Sequence, residues 1–329
     1  MSYTTFLIGN GLGMAMDSDY FSLENAVQKV WSSGALDDPI KDRICNLCPD
    51  KQPPLTEESL EKLQRTLWSC KNLKDNENHI KWLTDDARNF PEAFDHFKHI
   101  TAKYFFEFYI KSSESSEFKE FIDWMCSYVK TNLTHVLTLN YDSLLYNEFI
   151  KDGEIFKGYD GKLIDGLTSA GFKKTSLIRQ PGKNFGYYLH LHGTPIVYDE
   201  NIGGWSKTKI CKKNYNTSMN KWDLSGEISK HIVLTHENFK SDIIHSSELL
   251  SAYWEYFENV LTETGRLILF GYSGNDQHVN DAIGKFLPKT SEILIVQWGG
   301  STCKKTLWES KLENKVTLAE FDNILKWRT

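Results

Sequence analysis

The feature that most constrains this chain stands at its start, where the short apolar run Tyr3 to Ile8 breaks at once into Gly9-Asn10-Gly11-Leu12-Gly13. A strand that runs straight into glycines is how a dinucleotide-binding strand–helix unit begins. Glycines there let the backbone approach a pyrophosphate and aim amide N–H groups at it from a helix N-terminus. The same residues also fit a plain tight turn between a strand and a helix. The spacing departs from G-x-G-x-x-G, and no acidic residue closes a second strand ~20 residues later, where nicotinamide dehydrogenases hold the ribose. Hydride transfer is therefore disfavoured.

Three further strand-like runs end in polar or glycine clusters. His135 to Leu139 leads into Asn140-Tyr141-Asp142 and a helix through Phe149, and Tyr187 to Leu191 closes on His192-Gly193. Arg266 to Phe270 is followed by Gly271-Tyr272-Ser273-Gly274-Asn275-Asp276 and a helix from about Gln277 to Phe286. Glu292 to Trp298 reads as one more strand, with Gly299-Gly300 as its turn. The pattern predicts an α/β fold, a Rossmann-like doubly wound parallel sheet. In such a sheet the carboxyl ends of neighbouring strands face one crevice, so the four clusters converge on a single ligand.

Between the first and second strands the pattern is helical. Ser22 caps a helix over Asn25 to Trp31, and Pro39, Pro53 and Pro54 punctuate the connection beyond it. From Thr56 to about Lys130, Leu60, Leu63 and Leu67 recur at helical spacing, as do Phe94, Phe97, Ile100, Tyr104 and Phe108, then Phe118, Phe121, Ile122 and Met125. Such stripes are core faces. The run Ser112 to Ser116, broken by Glu114, marks a loop. The expected organisation is one large domain over 1–329, with a core of 1–31 and 129–329 and a large all-helical insertion over 32–128.

Composition narrows the function classes. Hydrophobic content of 40% and charged content of 25% are those of a globular protein. No apolar run approaches the ~20 residues a bilayer span needs, and the start lacks a basic n-region, so a cytoplasmic protein with no membrane partner is expected. A net charge of -6 without a long block of one sign gives no footprint for direct nucleic-acid binding. The local cluster Lys207, Lys209, Lys212 and Lys213 reads as a solvated loop. Of six cysteines only Cys45 and Cys48 form a C-x-x-C pair, half of a usual structural zinc module, so no metal is expected.

The order G-N-G, L-N-Y-D, L-H-G, G-Y-S resembles that of sirtuins, which show G-A-G, Q-N-I-D, a catalytic histidine in H-G, and G-T-S. The closer likeness is to the bacterial sirtuin-like NADases of antiphage defence, with T-N-Y-D and L-H-G. It covers about residues 1–31 and 129–298. The resemblance implies that His192 is the general base and that Asn140 positions water and the nicotinamide ribose. It implies that Asp142 holds the carboxamide, that Gly9, Asn10, Gly11 and Leu12 form the phosphate-binding loop, and that Gly271 and Ser273 lie where phosphate or ribose is met. Phe21 stands at the spacing of the sirtuin loop phenylalanine, while Ser22 occupies the place of that loop's arginine. His190, two residues before His192, points to the opposite face and is read as structural. Asp276, with His278 at a helix start, suits either an N-cap or a contact to the adenosine half, and Asp142 equally suits a helix cap.

The chemistry is coherent on its own terms. Nicotinamide in NAD+ is already a cationic leaving group, so cleavage needs a held water and a base near neutrality more than it needs an acid. The resemblance therefore implies an NAD+ glycohydrolase that yields ADP-ribose and nicotinamide and depletes NAD+ in phage-infected cells, as in abortive infection. An NAD-dependent protein deacylase is one alternative. A non-catalytic nucleotide-sensing subunit of a defence complex is the other. The likeness further implies a homo-oligomer, docked on a HerA-type ATPase or another sensor.

Overall fold

The computed structural model describes residues 2–48, 51–108, 116–201, 208–219 and 221–329. Among the described residues strand β1 (Tyr3–Ile8) is followed by the α-helices α1 (Gly11–Met16), α2 (Leu23–Ser32), α3 (Asp38–Cys45), α4 (Glu57–Lys74), α5 (Asp85–Glu107) and α6 (Ser116–Thr131). Next come β2 (Thr134–Thr138), α7 (Leu144–Asp152), the two-residue strands β3 (Leu163–Ile164), β4 (Leu167–Thr168) and β5 (Gly171–Phe172), and then β6 (Gly186–His190). A hairpin of β7 (Val197–Asn201) and β8 (Thr208–Lys212) precedes β9 (Tyr215–Asn216) and β10 (Lys221–Trp222). The chain then runs through α8 (Glu237–Ser246), α9 (Glu248–Glu263), β11 (Thr264–Phe270), α10 (Gln277–Phe286), β12 (Glu292–Trp298), α11 (Lys305–Leu312) and β13 (Thr317–Phe321).

Seven strands form one parallel sheet in the order β13-β12-β11-β1-β2-β6-β3. Parallel neighbours need long crossovers, and helices supply them, which gives the predicted Rossmann-like α/β fold. Phe6, Leu7 and Ile8 are fully buried because helices cover both faces of the sheet, so the strand reads as a continuous apolar run instead of alternating. Each such side chain contributes roughly 1.5–3 kcal/mol of burial. From β1 the chain winds outward to β2 on one side, and later from β11 to β12 and β13 on the other. The reversal lies between β1 and β11, which pair in register from Thr4↔Arg266 to Ile8↔Phe270. A reversal of this kind opens a crevice at the carboxyl ends of the two strands.

Locally the sequence signals hold. Ser22 is the N-cap of α2, accepting from the Asn25 amide at 3.5 Å. The aromatic stripe lies in the core: Phe94 and Phe97 are buried in a second hydrophobic cluster that packs α2 to α5 against Ile232 and Leu234. Cys48 belongs to that cluster too, where burial first and then Cys45 push its thiol up to about 11. The loop expected over Ser112 to Ser116 falls, up to residue 115, outside the described residues, and Ser116 opens α6. The reading of Lys207, Lys209, Lys212 and Lys213 as a solvated loop is corrected. Lys209 and Lys212 lie in β8, Lys212 stands over the Trp222 ring at 5.4 Å, and buried Lys213 donates to the Ser225 carbonyl at 2.6 Å; Lys207 is outside the described residues. A run of stems with apolar neighbours packs its methylenes even when its ends are charged. No helix of the described residues is long and apolar enough to cross a membrane.

Candidate functional site

The turns after β1 and β11 touch each other. Gly9 N–H donates to the Phe270 carbonyl at 2.9 Å, and Gly11 N–H to the Gly271 carbonyl at 2.8 Å. A Cβ on Gly9 or Gly11 would stand 2.6 Å from the Gly271–Tyr272 backbone, so glycine is required here for two turns to pack. Gly9, Gly11 and Leu12 spend their amides on carbonyls of the protein, Leu12 N–H reaching the Gly9 carbonyl at 3.2 Å. The amides expected to face a phosphate are thus largely committed to the turn itself.

Asn140 follows β2 at the same edge. Its side-chain Nδ2 donates to the Gly9 carbonyl at 3.0 Å, and its own amide donates to Thr138 Oγ1 at 3.0 Å. Because the Gly9 carbonyl can only accept, the nitrogen of the carboxamide is fixed and its oxygen is left for other partners. Asp142 is buried, with Oδ1 accepting from the Leu144 amide at 3.0 Å, a turn at the start of α7. Its Oδ2 is buried without a hydrogen-bond partner among the described residues. Burial is the main reason its carboxyl is pushed up to about 6, while the Leu144 amide and the neighbouring Asn140 amide draw it down. An orphaned carboxylate oxygen is an acceptor in need of a donor.

His192 follows β6 and is 5% exposed. Gly193, directly after it, has φ +87 and a bridge to Ile232, with no room for a Cβ against the His231 carbonyl. The His192 carbonyl accepts from Val233 N–H at 3.0 Å, so the segment after β10 clamps the histidine in place. His192 Nε2 lies 3.3 Å from His278 Nε2, with the rings stacked at 5.5 Å. Burial pushes His192 down to about 3 and His278 to about 4, with Asp276 opposing and Lys240 adding to the fall. Both imidazoles are neutral at physiological pH.

Asp276 differs from both readings offered for it. It stands at the N-cap position of α10 but makes no side-chain cap bond. Instead its Oδ1 pairs with Lys240 Nζ at 2.7 Å, and Lys240 also reaches Glu57 Oε1 at 3.2 Å. Burial pushes the Asp276 carboxyl up, but His192, which carries charge only in acid, and the Lys240 ammonium outweigh it and hold it below the usual range. Lys240 stays charged for the same reason: burial works against its ammonium, and the two carboxylates overcome it.

One cavity of about 1150 Å³ brings these groups together. Gly9, Asn10, Gly11, Phe21, Asn140, Asp142, His192, Gly271, Ser273 and Asp276 all line it. Leu12 does not: it is buried beneath the turn. Phe21 is packed among Tyr20, Phe105 and Phe108, and its carbonyl accepts from Asn10 Nδ2 at 3.0 Å. His190 points away, wedged between Tyr146 and Tyr188, with both ring nitrogens without a hydrogen-bond partner among the described residues.

Sequence reasoning missed part of the lining. Glu57 from α4 and Lys240 from α8 have no local motif to announce them. Gln297, Trp298, Gly300, Ser301 and Thr302, after β12, carried a usable signal, since Gly299-Gly300 closes a strand at the same edge. Trp298 is 62% exposed there. A cavity of this size with a glycine turn too tight for side chains, an orphaned carboxylate oxygen and a neutral imidazole beside a fixed carboxamide fits a dinucleotide. A search of curated proteins finds no match to the chain. A family model described as a SIR2-like domain matches residues 134–314, which include Asn140, Asp142, His192, Gly271, Ser273 and Asp276 but not the turn after β1.

Proposed function

The chain belongs to the SIR2-like domain family, a membership that implies NAD binding, and from it we propose that the protein hydrolyses NAD+ to ADP-ribose and nicotinamide. The observation that carries the proposal is the meeting of Asn140 and His192 in one cavity, at the ends of adjacent strands β2 and β6. Asn140 Oδ1, left over once Nδ2 is bound to the Gly9 carbonyl, accepts a hydrogen bond from the attacking water. His192, neutral because it is buried, takes the proton of that water as its oxygen bonds to the anomeric carbon, and burial makes it a weaker base than the near-neutral one expected from the sequence. The bond from ribose to nicotinamide breaks with its electron pair leaving on the pyridine nitrogen, which discharges the cationic ring and asks for no acid. Asp142 Oδ2 accepts from the carboxamide N–H and so orients the leaving group. Burial of this edge keeps bulk water out and strengthens each of these contacts.

The sequence favours hydrolysis over deacylation, because six cysteines with one C-x-x-C pair do not supply the four-cysteine module most sirtuins carry. A role in antiphage defence, a homo-oligomeric state and a HerA-type or other sensor partner rest on the likeness of L-N-Y-D and L-H-G to the defence NADases. The test is nicotinamide release from NAD+ by the purified chain, alone and with the product of any neighbouring gene. Release lost in Asn140→Ala and His192→Ala supports the assignment, and release unchanged in both overturns it. Preferential deacylation of an acyl-lysine peptide would replace hydrolysis as the activity.

A further inference from the structure

Three metal-ligating side chains meet where His192 borders the cavity, and two of them have no part in the hydrolysis proposed above. His192, His278 and Asp276 each offer one ligand atom, and the three atoms lie within 4.8 Å of one another. Two imidazole nitrogens on one tetrahedral Zn²⁺, each at about 2.0–2.1 Å from it, stand about 3.3–3.4 Å apart. The two Nε2 atoms are 3.3 Å apart, which matches that edge and, without a metal, lets one neutral ring donate to the other. The rings are also held there. His278 packs on Trp254 with centroids 5.0 Å apart, and the Trp254 indole N–H is tied to the Leu191 carbonyl at 2.9 Å.

We propose that His192, His278 and Asp276 form a Zn²⁺ site with three protein ligands and a fourth position open to the cavity. Lys240 is a cation that opposes it, bound to Asp276 Oδ1 at 2.7 Å. Glu57 shares that ammonium at 3.2 Å. Two carboxylates, one ammonium and two neutral imidazoles leave the cluster net negative, so a dication is attracted. The neutral state matters twice, since only an unprotonated imidazole offers a lone pair to a metal. An occupied site ties up the nitrogen of His192, and zinc therefore inhibits the enzyme reversibly. That consequence rests on the hydrolytic reading; the binding does not.

The experiment titrates the full chain, purified through a chelator, with zinc chloride alone in a calorimeter, with cobalt(II) as an optical probe of coordination. The expected result is one ion per chain, a cobalt spectrum of tetrahedral type, and affinity lowered roughly tenfold or more in His278→Gln and in His192→Gln, as loss of one of three ligands demands. His245→Ala, an exposed histidine elsewhere, leaves binding unchanged. Circular dichroism of each variant shows that the fold is kept, and the cobalt spectrum of the unaltered chain decides the matter if a variant does not fold. Absence of binding, an octahedral cobalt spectrum, or binding indifferent to both histidine variants overturns the site. Zinc binding in a chain that never releases nicotinamide supports the site and counts against hydrolysis. Relief of zinc inhibition in His278→Gln links the two.

Discussion

Replacing Lys240 with methionine isolates the charge that braces the site. The Lys240 side chain is 8% exposed and joins that of Asp276, 13% exposed, to that of Glu57, 44% exposed. Breaking a buried pair by deleting one partner costs about 3–5 kcal/mol, because the other charge stays buried without compensation. Glu57 recovers hydration and adds little. Asp276 carries most of the loss, which we expect to be about 3 kcal/mol at neutral pH. The sign with pH comes from its titration. In the native chain the Asp276 carboxyl is held below its ordinary value, so it contributes stability above the unfolded carboxylate range and loses it as pH falls. Without Lys240, burial dominates and lifts that carboxyl, so the variant becomes less stable as pH rises. The gap between variant and parent should therefore be small near pH ~4 and widen toward neutrality. Urea unfolding followed by tryptophan fluorescence over that range measures it, and Lys240→Met combined with Asp276→Asn should recover most of the loss. A deficit below about 1 kcal/mol at neutral pH, or one that does not change with pH, would refute the reasoning.

The same geometry fixes four further outcomes. Asn140→Ala removes one buried hydrogen bond to Gly9 and should lower stability by only about 1 kcal/mol, read from the urea midpoint, while abolishing nicotinamide release. Gly193→Ala forces a side chain into φ +87 against the His231 carbonyl, and strain of about 1–3 kcal/mol plus the displacement of His192 should lower melting temperature and turnover together. Burial holds His192, His190 and His99 down at about 3 and His278 at about 4. A histidine with a depressed native value leaves stability intact above the unfolded value of ~6.5 and drains it as pH falls toward the native one, so unfolding midpoints should drop below that pH and drop less in His192→Gln. Ser22→Ala removes the cap of α2 and should cost about 1 kcal/mol by thermal melting.

The sheet is legible in the sequence because a buried parallel strand leaves a continuous apolar run, and its end is marked where polar residues can first be tolerated. Ile8 before Gly9, Leu139 before Asn140 and Phe270 before Gly271 all carry that mark. The strand-end rule also brings Asn140, His192 and Ser273 to one cavity. What local reading could not provide is partnership across long separations. Asp276 is an N-cap candidate by position, yet Lys240, 36 residues earlier, holds its carboxylate. Glu57, which shares that lysine, is 183 residues away from it. Periodicity identifies the buried face of α4 but not which polar end reaches over the sheet, and the segment that holds α8 carries no motif that marks it. The lysines in and just after β8 mislead for a related reason: charge density suggests solvent, while Lys213 is buried beside Tyr198, with its ammonium 4.6 Å from the ring.

The link from Glu57 through Lys240 to Asp276 spans three separate parts of the molecule: a helix between the first two strands, a helix after β10 and the edge of the sheet. Mechanically it is a strut, and its far end rests beside the imidazole pair. A push that draws α4 away strips one carboxylate from the lysine, whose charge then bears entirely on Asp276 and dilutes the negative field at the histidines. The seating of α4 and the edge of the sheet beside the histidines are thus joined by a single lysine, so a load on one is carried to the other.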